Sequence, residues 1–255
     1  NHLMALHKFT QTIFICRNSY YHGSKLISKV QLKYMRRFIP PLLLCLMLFI
    51  FSDVDAQNYS YLALGDSYTI GEKVDKSQRW PVQLVDSLQE RGIAIEEPRI
   101  IAKTGWTTTD LLDAIEKQSP EKNYDLVTLL IGVNNQYQGK PIQQYRREFT
   151  KLLNKSISFA NGNTERVFVV SIPDYGVTPF GQQKDPEKIA EELTQYNEIA
   201  RTISEKNGIT FINITPISLQ AKTDSSLIAE DDLHPSGKMY QQWVKKIIPT
   251  IIERL

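Results

Sequence analysis

The stretch that decides the fold reads Tyr59-Ser60-Tyr61-Leu62-Ala63-Leu64-Gly65-Asp66-Ser67-Tyr68, a largely apolar run that ends in a glycine and small polar residues. A run of this kind, bounded by a turn signal, predicts a strand covered on both faces over Tyr59–Leu64. The pattern returns at Arg99–Ala102, Leu126–Ile131, Val167–Ile172 and Thr210–Ile214. Longer stretches with helical apolar spacing lie between and after these runs, at about Trp80–Arg91, Thr108–Gln118, Ile142–Ala160, Pro186–Asn207 and Ser236–Arg254. Thr107 and Asp110 have capping-box spacing, Pro186 suits a first helical turn, and Gly208 follows the fourth helix. Strands alternating with helices in this way predict an α/β fold, a mostly parallel five-stranded sheet with helices on both faces. No Pro/Gly/Ser-rich linker interrupts residues 57–255, so one domain is expected there.

The 255 residues carry 30 Lys+Arg against 28 Asp+Glu, but the charge is unevenly spread. Residues 1–56 hold 7 basic and 2 acidic residues, both cysteines (Cys16, Cys45) and three of the four histidines. Residues 57–255 have a net charge of −3, no cysteine and one histidine. A disulfide scaffold, a Cys/His metal site and a basic nucleic-acid binder are thereby excluded. Met35-Arg36-Arg37, the apolar run Phe38–Phe51 and Val54-Asp55-Ala56 have the three parts of a secretory signal peptide. The run is short for a membrane span, which needs about 20 apolar residues. Residues 1–34 therefore read as an upstream extension and 35–56 as a signal peptide cleaved near Ala56. Export to the periplasm or the extracellular space is expected, with no stable membrane insertion afterwards; an uncleaved anchor is the alternative.

In an open parallel sheet, ligands bind outside the carboxyl ends of the strands. Those positions read Gly65-Asp66-Ser67-Tyr68, Lys103-Thr104-Gly105-Trp106, Gly132-Val133-Asn134-Asn135, Pro173-Asp174-Tyr175-Gly176 and Asp231-Asp232-Leu233-His234-Pro235. Histidine is the natural general base near neutrality, and His234 has no competitor in residues 57–255. Asp231, three residues earlier, can fold back and accept from its Nδ1–H, which turns Nε2 toward a nucleophile. The plain alternative is that His234 caps the last helix. Ser67 is the candidate nucleophile, following a buried strand at a glycine. The sharper elbow Gly-x-Ser-x-Gly is absent, because Thr69 stands in place of its second glycine. Asp66 is too close to Ser67 to orient a distant imidazole, and reads as a brace for the turn. Gly105 and Asn134, with the Ser67 N–H, are candidate oxyanion donors.

Taken together, Gly65-Asp66-Ser67, Gly105, Gly132-x-Asn134 and Asp231-x-x-His234 resemble the sequence blocks of the SGNH (GDSL-type) hydrolases, in order and across the whole of residues 57–255. The resemblance implies a flavodoxin-like three-layer α/β/α sandwich and metal-free, serine-dependent hydrolysis of esters or thioesters. It implies Ser67 as nucleophile, His234 as base, Asp231 as its partner, and Ser67, Gly105 and Asn134 as the oxyanion hole. The third block often continues from its Asn into Asp; Asn135 stands there instead. The local sequence is similar to lysophospholipase-like and small-esterase members, a group that includes acyl-CoA thioesterases, lipases and carbohydrate acetylesterases.

The expected reaction is two-step acyl transfer on a small-molecule ester of lipid, small acyl or acetylated-sugar type. An acyl-CoA thioesterase or lysophospholipase is the alternative within the family, and a non-catalytic ligand-binding α/β domain the alternative outside it. No cofactor is expected, since no phosphate-cradling glycine loop is present, and no nucleic-acid partner. Tyr68, Trp106, Tyr137, Tyr175 and Phe180 are candidates for substrate binding, although roughly half of such aromatics are plain packing. The long connection Pro173–Pro186 is expected to act as a lid.

Overall fold

A computed structural model describes residues 58–255. The expected upstream extension and signal peptide lie outside the described residues. In chain order the elements are β1 (Tyr61–Gly65), α1 (Ser67–Ile70), α2 (Trp80–Gln89), β2 (Arg99–Ala102), α3 (Thr108–Gln118), β3 (Leu126–Leu130), α4 (Val133–Tyr137), α5 (Ile142–Phe159), β4 (Val167–Val170), α6 (Pro179–Gln182), α7 (Pro186–Lys206), β5 (Thr210–Ile212), α8 (Thr215–Ser218) and α9 (Gly237–Ile252). The five expected strands and five long helices all form. The short helices α1, α4, α6 and α8 lie in stretches that read as loops.

All strand pairs are parallel, in the order β2-β1-β3-β4-β5. The chain leaves β1 for β2 on one side, then returns past β1 to β3 on the other. Right-handed crossovers therefore put α2 on one face and α3, α5 and α7 on the opposite one. Helix α9 packs with α2, while α5 packs with both α3 and α7. Two helical layers thus enclose the sheet, which is why β1, β3 and β4 are buried along their whole length and the edge strands β2 and β5 only in part.

Local chemistry accounts for the boundaries. Tyr59 makes an isolated parallel bridge with Ile95, so β1 starts two residues later than expected and runs through Gly65. Beyond β4 and β5 the backbone turns to side chains: Ile172 N–H donates to Asn197 Oδ1, and Ile214 N–H to Ser171 Oγ. Those bonds replace ladder partners and end both strands early. Thr107 and Asp110 form the reciprocal capping box of α3, and Gly208 takes the left-handed φ of +69° after α7. On α5, Tyr145, Phe149, Leu152 and Leu153 fall on one stripe and are buried. Large side chains of this kind contribute about 1.5–3 kcal/mol each through burial. Trp80 of α2 and Trp243 of α9 are fully buried on the other face.

The reversal of strand order falls between β1 and β3. At such a switch point the neighbouring loops diverge to opposite faces and open a crevice at the carboxyl ends of the strands. Ser67 follows β1 and Asn134 follows β3.

Candidate active site

The turn after β1 is tight. A Cβ on Gly65 would sit 2.5 Å from the Leu130 carbonyl oxygen and 2.1 Å from Thr69 Oγ1, so only glycine fits. Asp66 caps α1, its Oδ1 accepting the Tyr68 N–H at 3.1 Å, which is the bracing role expected of it. Ser67 is the first residue of α1, where a backbone N–H has no acceptor within the helix. Asp66 itself is fully buried. Burial pushes its carboxyl up to about 7, against the opposing pull of the Tyr68, Gly132 and Asp66 N–H groups that face it. Its Oδ2 has no hydrogen-bond partner among the described residues.

After β2, Trp106 N–H donates to the Lys103 carbonyl at 3.2 Å and closes a turn with Gly105 at φ +83°. A positive φ at the third position is the mark of a type II turn. After β3, Gly132 stands at φ +129° as the cap of α4, and a Cβ there would meet Tyr145 at 2.5 Å. Asn134 Nδ2 donates to the Trp106 carbonyl at 3.0 Å. Asn135, where the family pattern often has Asp, is fully buried. Its Oδ1 accepts the Thr108 N–H at 2.9 Å and its Nδ2 donates to Thr108 Oγ1 at 2.8 Å, while Thr108 Oγ1 donates onward to Glu148. A carboxylate could not make the second bond, so the amide suits this network.

The last loop arrives folded back on itself. His234 carbonyl accepts the Ala229 N–H at 2.8 Å, and Asp232 takes a left-handed φ of +61°. The reversal brings Asp231 Oδ2 to 2.5 Å from His234 Nδ1 and Oδ1 to 2.9 Å from the His234 N–H. Burial pushes the Asp231 carboxyl up, but hydrogen bonds from the His234 ring and N–H and from the Leu233 N–H outweigh it, and its pKa lies below the ordinary value. His234 is buried, and its ring packs edge-to-face with Tyr68, the ring centroids 5.8 Å apart. Helix α9 begins directly afterwards, capped by Ser236 and not by His234.

These loops converge on one cleft of about 170 Å³. Ser67, Gly105, Asn134 and His234 line it together, with Thr104 beside them. No hydrogen bond joins the Ser67 hydroxyl to the imidazole; such contacts often tighten only around substrate. The remaining lining is apolar or aromatic: Tyr68, Val133, Tyr137, Tyr175, Phe180 and Leu233. Four of the five aromatic candidates thus face the cleft. Trp106 does not: it enters the site through its backbone carbonyl, and its ring packs half-buried on the core.

The connection Pro173–Pro186 is a built wall. Its turns are tied internally by Thr178 Oγ1 to the Tyr175 carbonyl and Gln182 Nε2 to the Gly176 carbonyl. Tyr175 hydroxyl donates to Gln136 Oε1, and Phe180 N–H donates to the Asp232 carbonyl of the histidine loop. Lys184 Nζ stands 5.1 Å from the Tyr137 ring centre and 4.8 Å from that of Phe180, at cation–π distance from both.

The sequence profile of the GDSL-like lipase/acylhydrolase family matches residues 63–242, which span every loop of the cleft. The chain belongs to this family. As a GDSL-family protein it is a serine ester hydrolase of the SGNH type. The GDSL-family chain is 22% identical over 204 residues to the uncharacterized protein YpmR of Bacillus subtilis (strain 168), covering 74% of this chain and 80% of that one. Its fold is that of the crystal structure of TesA (TM-score 0.62, 16% identity, 77% of this chain and 99% of that one). It is also that of the psychrotrophic esterase EstA from Pseudoalteromonas sp. (TM-score 0.56, 19% identity, 77% and 98%). Among the described residues no group of three or more metal-ligating side chains occurs, and no helix is long and apolar enough to cross a membrane.

Several residues of the site escaped the sequence reading. Val133 and Leu233 line the cleft beside residues that were singled out. Gln138 Nε2 donates to the Gly105 carbonyl at 3.3 Å. Its position four residues after Asn134 was a usable signal, because i and i+4 share a helix face.

Proposed function

We propose that this family member is an exported carboxylic-ester hydrolase that works through a Ser67 acyl-enzyme. The observation that carries the reading is the convergence of Ser67, Gly105, Asn134 and His234 on one cleft, with Asp231 holding the imidazole from behind. His234 Nε2 takes the Ser67 proton as Oγ attacks the ester carbonyl. The N–H groups of Ser67 and Gly105 and the Asn134 amide receive the oxyanion. His234 then protonates the leaving alcohol, and afterwards takes a proton from the water that releases the acid. Asp231 keeps the proton on Nδ1 throughout and stabilises the imidazolium.

Small size and a mainly apolar, aromatic lining favour esters with a short, uncharged acyl group. Export rests on the basic start, apolar run and small-x-Ala end of residues 35–56. A fluorophosphonate probe should label wild-type protein at Ser67 and leave folded Ser67→Ala untouched, and that variant should lose nearly all turnover. Near-wild-type esterase activity in Ser67→Ala would refute the scheme. A panel of p-nitrophenyl esters of rising chain length, acetylated sugars, lysophospholipids and acyl-CoA reads out the substrate class; a preference for long chains or acyl-CoA would count against the short-acyl reading. Mass spectrometry of secreted protein should find Gln57 at its N-terminus.

A further inference from the structure

A single backbone hydrogen bond, from the Trp106 N–H to the Lys103 carbonyl, closes the turn Lys103–Trp106. It projects from β2, an edge strand, and both Thr104 and Gly105 are exposed. Nothing lies within 4 Å of the point where a Gly105 Cβ would be, so no packing fixes the glycine either. Yet Gly105 lines the cleft that Ser67 shares, and its N–H has no acceptor among the described residues.

Side chains from the two neighbouring loops grip it. Glu72 follows Gly71, the left-handed cap that ends α1, and its carboxylate accepts the Thr104 hydroxyl. Gln138, at the end of α4, donates Nε2 to the Gly105 carbonyl, and Asn134 donates to the next carbonyl, that of Trp106. One grip therefore comes from just beyond the helix that opens with Ser67, and the other from the C-terminal cap of the helix that carries Asn134. Glu72 and Gln138 bond the residues on which the donor depends, but neither lines the cleft.

We propose that Glu72 and Gln138 are positioning residues: a two-point clamp that holds the exposed Gly105 turn so that its N–H meets the oxyanion formed at Ser67. This rests on Ser67 being the nucleophile. An oxyanion donor contributes most when its place is set before charge develops, and its bond weakens steeply with distance and angle. Because the clamp bears on the tetrahedral species and not on the bound ester, its loss should lower kcat and leave KM alone.

The test compares Glu72→Leu and Gln138→Met, which remove one bond each at similar bulk, with wild type on a p-nitrophenyl ester. Each should lower kcat about threefold to tenfold, the worth of one hydrogen bond, with KM within about twofold. The rate of fluorophosphonate labelling at Ser67 should fall in the same ratio, since the phosphonyl oxygen uses the same donors. Glu72→Gln, which keeps an acceptor oxygen, should recover most of the lost rate. Thr104→Val cuts the Glu72 bond from its other end and should reproduce the Glu72→Leu loss if that variant fails to fold; Gln138→Ala serves likewise for Gln138→Met. Undiminished kcat and labelling in the folded variants, or a change in KM alone, would overturn the clamp while leaving the nucleophile standing. A wild-type protein that the probe does not label at Ser67 would overturn both.

Discussion

One carboxylate holds His234 at two points: Asp231 Oδ2 lies 2.5 Å from the ring Nδ1, and Oδ1 accepts the His234 backbone N–H at 2.9 Å. Backbone position and ring rotation of the histidine are thus set by a single side chain three residues away. Asp231→Asn separates the two roles. Its amide oxygen can still accept the backbone N–H, but its NH₂ faces Nδ1 and forces the ring proton onto Nε2, the wrong tautomer for a base. Folded Asp231→Asn should therefore lose about 10²–10⁴ in kcat, which steady-state kinetics alongside a melting curve would measure. Its carboxyl also titrates below the ordinary value in the folded state. The stabilisation that this provides is present above the unfolded pKa and is lost as pH falls through the folded one.

The two left-handed glycines of the site should respond differently to alanine. At Gly105 a Cβ meets nothing within 4 Å, so the cost is the φ of +83° alone, about 1–2 kcal/mol. The chain can escape that cost by rotating the Thr104–Gly105 peptide into a type I turn, which points a carbonyl where the N–H was. Gly105→Ala should keep its fold and lose about 10² or more in kcat. At Gly132 a Cβ collides with Tyr145 at 2.5 Å at φ +129°, so Gly132→Ala should lower the melting temperature far more than Gly105→Ala.

Asp66 gives the protein a pH-dependent stability. Its folded pKa of about 7 lies above the unfolded value, so the folded state keeps a proton that the unfolded chain has released. Its contribution is therefore favourable at low pH, declines as pH rises from the ordinary carboxylate range to about 7, and is level beyond that. The full span is on the order of 4 kcal/mol. Asp66→Asn cannot ionise, yet its amide oxygen can still accept the Tyr68 N–H. Melting temperatures should show the variant gaining on wild type as pH is raised from 4 to 7; a constant difference would contradict the buried titration.

Phe180 and Tyr137 should set the length of acyl group accepted. Tyr137 is 50% exposed and Phe180 half-buried, so Phe180→Ala should cost less than the roughly 3–5 kcal/mol of a core phenylalanine. It opens the wall of a small cleft, and relative kcat/KM should move toward longer esters. Replacing residues 176–184 by a short linker also severs the Phe180 N–H bond to the Asp232 carbonyl beside His234. That exchange should therefore lower turnover on every ester as well as shift the profile.

The order of elements was legible because each long helix and strand carries its own signal. Apolar runs at β1, β3 and β4 mark strands covered on both faces, and the Thr107–Asp110 box starts α3 where spacing says it should. The Asp231–His234 pair was equally legible, since four consecutive residues of one loop suffice to make it. The short helices were not, because four or five residues hold too few periods to be told from a loop. The strand ends of β4 and β5 slipped for a related reason: Asn197 and Ser171 take over the backbone there across gaps of 25 and 43 residues.

The sequence by itself determined the layered α/β plan, the list of polar groups at the strand ends and the pairing of His234 with Asp231, all of which rest on local spacing or on patterns of burial. Only the tertiary structure decided which of those groups share a cleft, because that depends on strand order, and the reversal between β1 and β3 brings Ser67 and Asn134 together. It also decided that Trp106 contributes a carbonyl and not a ring, that Asn135 suits a buried network with Thr108 and Glu148, and that Glu72 and Gln138 hold the Gly105 turn. Those roles come from contacts between residues far apart in the chain, and no local pattern of residue types encodes them.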